Sequence, residues 1–166
     1  MAGMPIRRAR RKRGARRARR NPWDFPGKAP LTPYQVRELR RELASMLVQA
    51  DSDVVMGPQF KMLWSSYFPN KRLDLRGASL GGAHMVGEDL SDVDLREASL
   101  EDGSFPKTSF AGSDLRGADL KRASLRATDM RGTDLSYADL SDARIIRADL
   151  TGADIRRADL RNTDLS

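Results

Sequence analysis

The sequence predicts an all-β solenoid over residues 71–166, and three regularities predict it. Every fifth residue from Leu75 to Leu165 is large and apolar, through Leu80, Met85, Leu90, Leu95 and onward, for nineteen consecutive positions. Two places before most of these centres stands a small residue, as at Ala78, Ala98, Ala118, Ala138 and Ala158. The tripeptides Asp74-Leu75-Arg76, Asp94-Leu95-Arg96, Asp114-Leu115-Arg116, Asp134-Leu135-Ser136 and Asp154-Ile155-Arg156 recur at intervals of twenty. A period of five suits neither an α-helix (3.6) nor a flat strand (2.0). It suits a chain that turns a corner once per repeat. The twenty-residue interval stacks four repeats per turn and predicts a face bearing an Asp column beside an Arg column.

Ahead of the solenoid the chain divides into an Arg-rich arm (1–20), a Pro-rich spacer (21–31) and a helical N-terminal cap (32–70). The arm holds Arg7, Arg8, Arg10, Arg11, Lys12, Arg13, Arg16, Arg17, Arg19 and Arg20 and no acid. So polar and like-charged a segment is expected to be disordered alone in water, because it cannot bury enough surface to offset its ordering entropy. Pro22, Pro26 and Pro30 keep the spacer extended. Trp23 and Phe25 within it are candidate anchors for a groove on the body or on a partner. A helix is expected from Thr32, where Thr32 and Gln35 form a capping-box pattern and Pro33 takes the first helical position. Its apolar stripe is Val36, Leu39, Leu43, Met46, Leu47 and Ala50. A second, shorter helix is expected from Pro58 to Tyr67, with Phe60, Leu63, Trp64 and Tyr67 on one side and Pro69 ending it.

The A-(D/S)-L-X-X pattern of residues 73–165 resembles the pentapeptide-repeat family and covers more than half of the chain. The resemblance implies a right-handed quadrilateral (four-sided) parallel β-helix of nearly five coils. It also implies that each centre points inward, with the small residue inward near the corner. At ~4.8 Å per layer such a body is roughly 23 Å tall. Several positions depart from the pattern. Glu88 takes a small-residue position and is expected to swing out or be paired, Val93 is bulky at the next, and Leu73 is large at the boundary. Arg144 replaces the usual Asp or Ser. Val86, Pro106 and Ile146 share a face interrupted by Arg126, which reads as the least charged face.

Composition narrows the function. Cysteine is absent, which excludes disulfide and thiol chemistry. The lone histidine, His84, is expected to point outward as a solvated side chain. Neither a nucleophile–base constellation nor metal-ligand spacing is present, so no catalytic residue, cofactor or metal is assigned. The Asp column beside an Arg column is expected to form salt-bridged ladders and not a cation site. No apolar run is long enough to insert into a membrane, so the expected location is cytoplasmic, or the virion if the chain is phage-encoded. The positive charge is concentrated in the arm, since residues 71–166 hold 18 acids against 15 Lys and Arg. The expectation is a non-enzymatic structural or interaction protein. Its arm binds nucleic acid or another polyanion without reading sequence, and its β-helix docks on protein. Arms of this kind resemble those of virion and nucleoprotein components, so a capsid or decoration protein is the concrete form. The end coil, with Ile155, Leu160 and Leu165, is the expected interface for a protein partner or a second copy. The alternative, taken from the family's best-known role, is a gyrase-binding mimic of duplex DNA. Arg columns between the Asp columns count against it.

Overall fold

The computed structural model describes residues 31–49, 61–62, 64–66 and 68–166. The arm, the spacer through Pro30 with Trp23 and Phe25, Ala50, and Pro58, Phe60, Leu63 and Tyr67 of the expected second helix lie outside the described residues.

Helix α1 runs Pro33–Gln49. Its first turn is closed reciprocally. The Thr32 N–H donates to Gln35 Oε1 at 2.8 Å, and the Gln35 N–H donates to Thr32 Oγ1 at 3.3 Å. Leu39, Leu43, Ala44 and Leu47 are buried, spaced three and four apart as one helical face requires. Val36 and Met46, expected on that face, are only half-buried at its margin. Residues 61–62 and 64–66 are helical as well. There Trp64 is buried and packs on Phe68 with ring centroids 4.4 Å apart.

From Leu73 onward the chain is a stack of parallel coils. Fifteen parallel bridges, from Asp74↔Asp94 to Arg144↔Asp164, each join residues twenty apart. The bridge positions themselves recur every five residues, so one coil contributes to four ladders. In each ladder two backbone bonds flank the bridge: Leu75 N–H donates to the Asp94 carbonyl and Asp94 N–H to the Leu73 carbonyl, both at 2.8 Å. Between ladders the chain turns through a bond such as Ala78 N–H to the Leu75 carbonyl, 3.0 Å. The third residue of each turn has positive φ, as a type II turn demands. Every fifth residue from Gly77 to Asn162 does so, whether glycine (Gly77, φ 63°) or not (Ala127, φ 55°).

This frame puts two side chains of each repeat inside. The centres from Leu75 to Ile145 are buried, and Phe105 meets Phe110 edge to face at 5.8 Å. The small residue two places earlier fills the corner, and where it is polar its group is satisfied. Ser113 Oγ donates to the Leu90 carbonyl at 2.6 Å, and Thr133 Oγ1 to the Phe110 carbonyl at 2.8 Å. Gly103 is required at its corner, because a Cβ there would land on the Phe105 ring and 2.9 Å from the Leu100 carbonyl oxygen. Val93 is fully buried and Glu88 is buried instead of swinging out, so the first coils absorb both departures inside the core.

Candidate interaction surfaces

Three outward side chains remain per repeat: the one before the centre and the two after it. The residue before the centre is usually Asp or Ser for a local reason. Its side-chain oxygen accepts the N–H two residues on, as Asp74 Oδ1 does from Arg76 at 3.2 Å and Asp139 Oδ1 from Ser141 at 3.0 Å. The side chain thereby braces the start of the turn.

On the first face Asp74, Asp94, Asp114, Asp134 and Asp154 stack in one ladder. Arg76, Arg96 and Arg116 each grip the aspartate of their own repeat at 2.6–2.8 Å. Each also reaches the aspartate of the next coil at 3.5–3.6 Å. The expected salt-bridged ladder is therefore present. At its head, Arg40 of α1 also pairs with Asp74, tying the helix to the first coil. Burial pushes the Asp74 carboxyl up, but hydrogen bonds from Arg76 and the charges of Arg40 and Arg76 hold it below its ordinary value. The hydrogen bond from Arg156 holds Asp154 at about 2. Among the described residues no cluster of three or more His, Cys, Asp or Glu is placed to hold a metal ion.

The second face pairs its cations too. Arg122 bridges to Glu101 at 2.6 Å and Asp102 at 2.7 Å, Lys121 to Asp139 at 3.2 Å, and Arg161 to Asp159 at 2.6 Å. On the fourth, Lys61 meets Asp89 and Arg131 meets Asp129, both at 2.7 Å.

The third face differs. Its ladder stacks His84, Ser104, Ser124, Arg144 and Asp164, and His84 is exposed. Beside it run Val86, Pro106, Arg126 and Ile146, and at the corner Gly87, Lys107, Ala127 and Arg147. Lys107, Arg126 and Arg147 form no ion pair with any described residue. The expectation that this face is the least charged is thus corrected. It holds the fewest carboxylates, Asp164 alone, but a set of unmatched cations. The corner column, which brings in Lys107 and Arg147, was the part the residue pattern left unread.

Of the candidate end residues, Ile155 is 43% and Leu165 58% exposed, and Leu160 is half-buried. The equivalent side chains one coil earlier, Leu135, Leu140 and Ile145, are buried. Tyr137, 60% exposed, was not foreseen. Its hydroxyl accepts from Arg157 at 2.6 Å while the guanidinium lies 5.3 Å from the ring centroid. A cleft of about 570 Å³ beside α1, lined by Arg37, Arg40, Arg41, Val48 and Arg76 among others, likewise arises only from packing.

The family model for pentapeptide repeats matches residues 74–110, 94–132, 108–145 and 128–166 in eight copies, more than half of the chain. The chain belongs to the pentapeptide-repeat family. Among solved structures it is similar to the pentapeptide repeat protein Rfr23 from the cyanobacterium Cyanothece 51142, at 25% identity and a TM-score of 0.54. That match covers 55% of this chain and 62% of Rfr23, so the chain spans less than two thirds of that relative. A second similar structure is alr5209, a pentapeptide repeat protein from Nostoc Pcc 7120 (28% identity, TM-score 0.41, 63% of this chain and 93% of that one). A third is full-length QnrB1, a plasmid-mediated fluoroquinolone resistance protein (21%, TM-score 0.40, 56% and 61%). No curated protein matches the chain in sequence. No helix among the described residues is long and apolar enough to cross a membrane.

Proposed function

We propose that the chain is a non-enzymatic interaction protein in which a right-handed, four-sided β-helix of nearly five coils, led by a helical cap, docks on protein while the arm of residues 1–20 engages nucleic acid or another polyanion. The observation that carries this reading is the contrast in charge pairing. On three faces of the β-helix each cation has a partner, a carboxylate for all but Arg157, which bonds the Tyr137 hydroxyl, whereas the arm has ten cations and no acid. Unmatched cations in that density are suited to phosphates. The protein-docking part is proposed for the coil of Ile155, Leu160 and Leu165, in which Ile155 and Leu165 are exposed. Trp23 and Phe25 are proposed to anchor the spacer. A virion capsid or decoration component is the concrete assembly that combines these parts. The gyrase-binding alternative is not preferred, since a mimic of DNA needs uncompensated carboxylates and the ladder aspartates are held by arginines.

Salt-dependent binding to duplex DNA tests the arm. If all ten cations met phosphates the log–log slope would approach about −9, and partial engagement gives less. Deleting residues 1–20 is expected to abolish most of the binding; unchanged affinity rejects the arm. A supercoiling assay with purified gyrase is expected to show no inhibition, and inhibition would revive the alternative.

A further inference from the structure

We infer that the third face of the β-helix is a second nucleic-acid surface, one that takes the phosphate backbone of a duplex on Lys107, Arg126 and Arg147. This goes beyond the arm reading and does not depend on the arm being engaged.

Pairing separates the cations of the coils into two groups. Arg76, Arg96, Arg116, Lys121, Arg122, Arg131, Arg156 and Arg161 each sit within 3.2 Å of a carboxylate. Arg157 is spent on Tyr137, and Arg144 stands over Asp164 in the adjacent coil. Among the outward positions of the coils from Leu73 onward, Lys107, Arg126 and Arg147 have neither an ion pair nor a hydrogen-bonding side chain. All three lie on one face, beside Arg144, which likewise has no ion pair. They occupy three consecutive coils, with Lys107 and Arg147 in the same corner column and Arg126 on the layer between them. At ~4.8 Å per layer the outer two are about 10 Å apart along the stack. A duplex carries roughly one negative charge per 1.7 Å of axis, so a row of this length spans several phosphates.

The rest of the face decides between nucleic acid and protein. Tight protein interfaces are anchored by buried aromatic or large apolar side chains. The large hydrophobics exposed among the described residues are Tyr34, Val48, Met62, Tyr137, Ile155 and Leu165, and none is an outward residue of this face. Val86, Pro106 and Ile146 are partly covered, and Ser104, Ser124, Gly87 and Ala127 are small. The surface is cationic and low in relief, with no aromatic ring on which a base could stack. It is built for backbone contact without sequence readout.

The test uses the full chain and a labelled 30-base-pair duplex of mixed sequence, titrated across a range of salt. One triple variant is Lys107→Gln/Arg126→Gln/Arg147→Gln. The control, Arg122→Gln/Arg131→Gln/Arg161→Gln, loses the same charge from paired positions on other faces. The first triple is expected to flatten the log–log salt slope by up to about 2.7, at roughly 0.9 per phosphate contact. The control is expected to leave it near that of the parent. The charge-preserving Arg126→Lys/Arg147→Lys variant keeps the parent slope. Thermal melts of each variant verify folding, and Arg126→Gln alone, expected to lose about 0.9, serves if a triple melts early. Equal slopes for the two triples overturn the proposal and leave the face to a protein partner. No binding by the parent at 50 mM salt overturns it together with the arm reading. A full-length variant with Arg16, Arg17, Arg19 and Arg20 changed to Gln separates the two: loss confined to that variant supports the arm alone, and loss confined to the face triple supports the face alone.

Discussion

At the scale of single residues, the inside of the β-helix tolerates little and the outside a good deal. Leu120 is fully buried. Leu120→Asp places an unpaired charge between coils and is expected to cost several kcal/mol, on the order of the large penalties for buried polar groups. Lys121, its neighbour, points outward and touches Asp139 at 3.2 Å. Lys121→Gln removes one exposed pair, worth about 1 kcal/mol or less. Equal melting temperatures for the two variants would show that the register is misassigned. Gly103→Ala is expected to cost about 1–3 kcal/mol by overpacking against Phe105. Ala127 gives the opposite case. Its positive φ is strained for a residue with a Cβ, and Ala127→Gly is expected to raise the melting temperature by relieving that strain. A lower melting temperature would show that the entropy glycine gains in the unfolded chain outweighs the relief.

At the scale of elements, ladder and helix show what the residue pattern could and could not reveal. The β-helix was legible because its centres repeat without a miss, and α1 because Thr32, Pro33 and Gln35 spell out its first turn. The corner column was harder to see. Glycines at 77, 82, 87, 112, 117, 132 and 152 mark it, but Asp92, Glu97, Arg122 and Tyr137 take the same backbone conformation. Backbone bonds on both sides of each corner hold it against that strain, so the glycine signal is diluted. The basic face followed from that column and was missed with it. Ala44 was overlooked because a small residue adds little to an apolar stripe, although α1 buries it.

The ladder also sets a pH dependence. Asp154, held at about 2 by the hydrogen bond from Arg156, and Asp129, Asp139, Asp149 and Asp159, all lowered by hydrogen bonds, lie below the ordinary 3.8. A carboxylate depressed by folding adds stability above its unfolded pKa and loses it as pH falls through the folded value. The melting temperature is therefore expected to be flat from neutrality to about pH 4 and to drop between about pH 4 and pH 2. A constant melting temperature across that window would mean that these pairs contribute nothing to folding.

For the whole molecule, stability is close to a sum over neighbouring coils. Removing twenty residues, such as 111–130, deletes one coil and keeps every later side chain on its own face. Removing five, such as 121–125, preserves the inward centres but carries each later repeat to the adjacent face. The first deletion is expected to fold with modest loss and retain an Asp–Arg ladder. The second is expected to fold but to put Asp134 and Asp154 out of line with Asp114. The aspartates lowered by folding are held mainly from within their own repeats, as Asp154 is by Arg156. The acid-sensitive drop in melting temperature should therefore persist in both deletions, while the five-residue deletion loses the contacts between coils. Circular dichroism melts at pH 7 and pH 3 compare the two.

The twenty-residue spacing of the backbone ladders has a mechanical meaning. A tensile load applied across the two ends of the stack pulls on one coil interface before it reaches the next. Each interface that gives way frees a length of chain equal to one coil. At roughly 3.3–3.6 Å per extended residue, that is about 70 Å of slack per event. Stretched singly, the molecule would lengthen in near-identical steps, each dissipating work and sparing the coils beyond it, so the stack can act as a graded shock absorber.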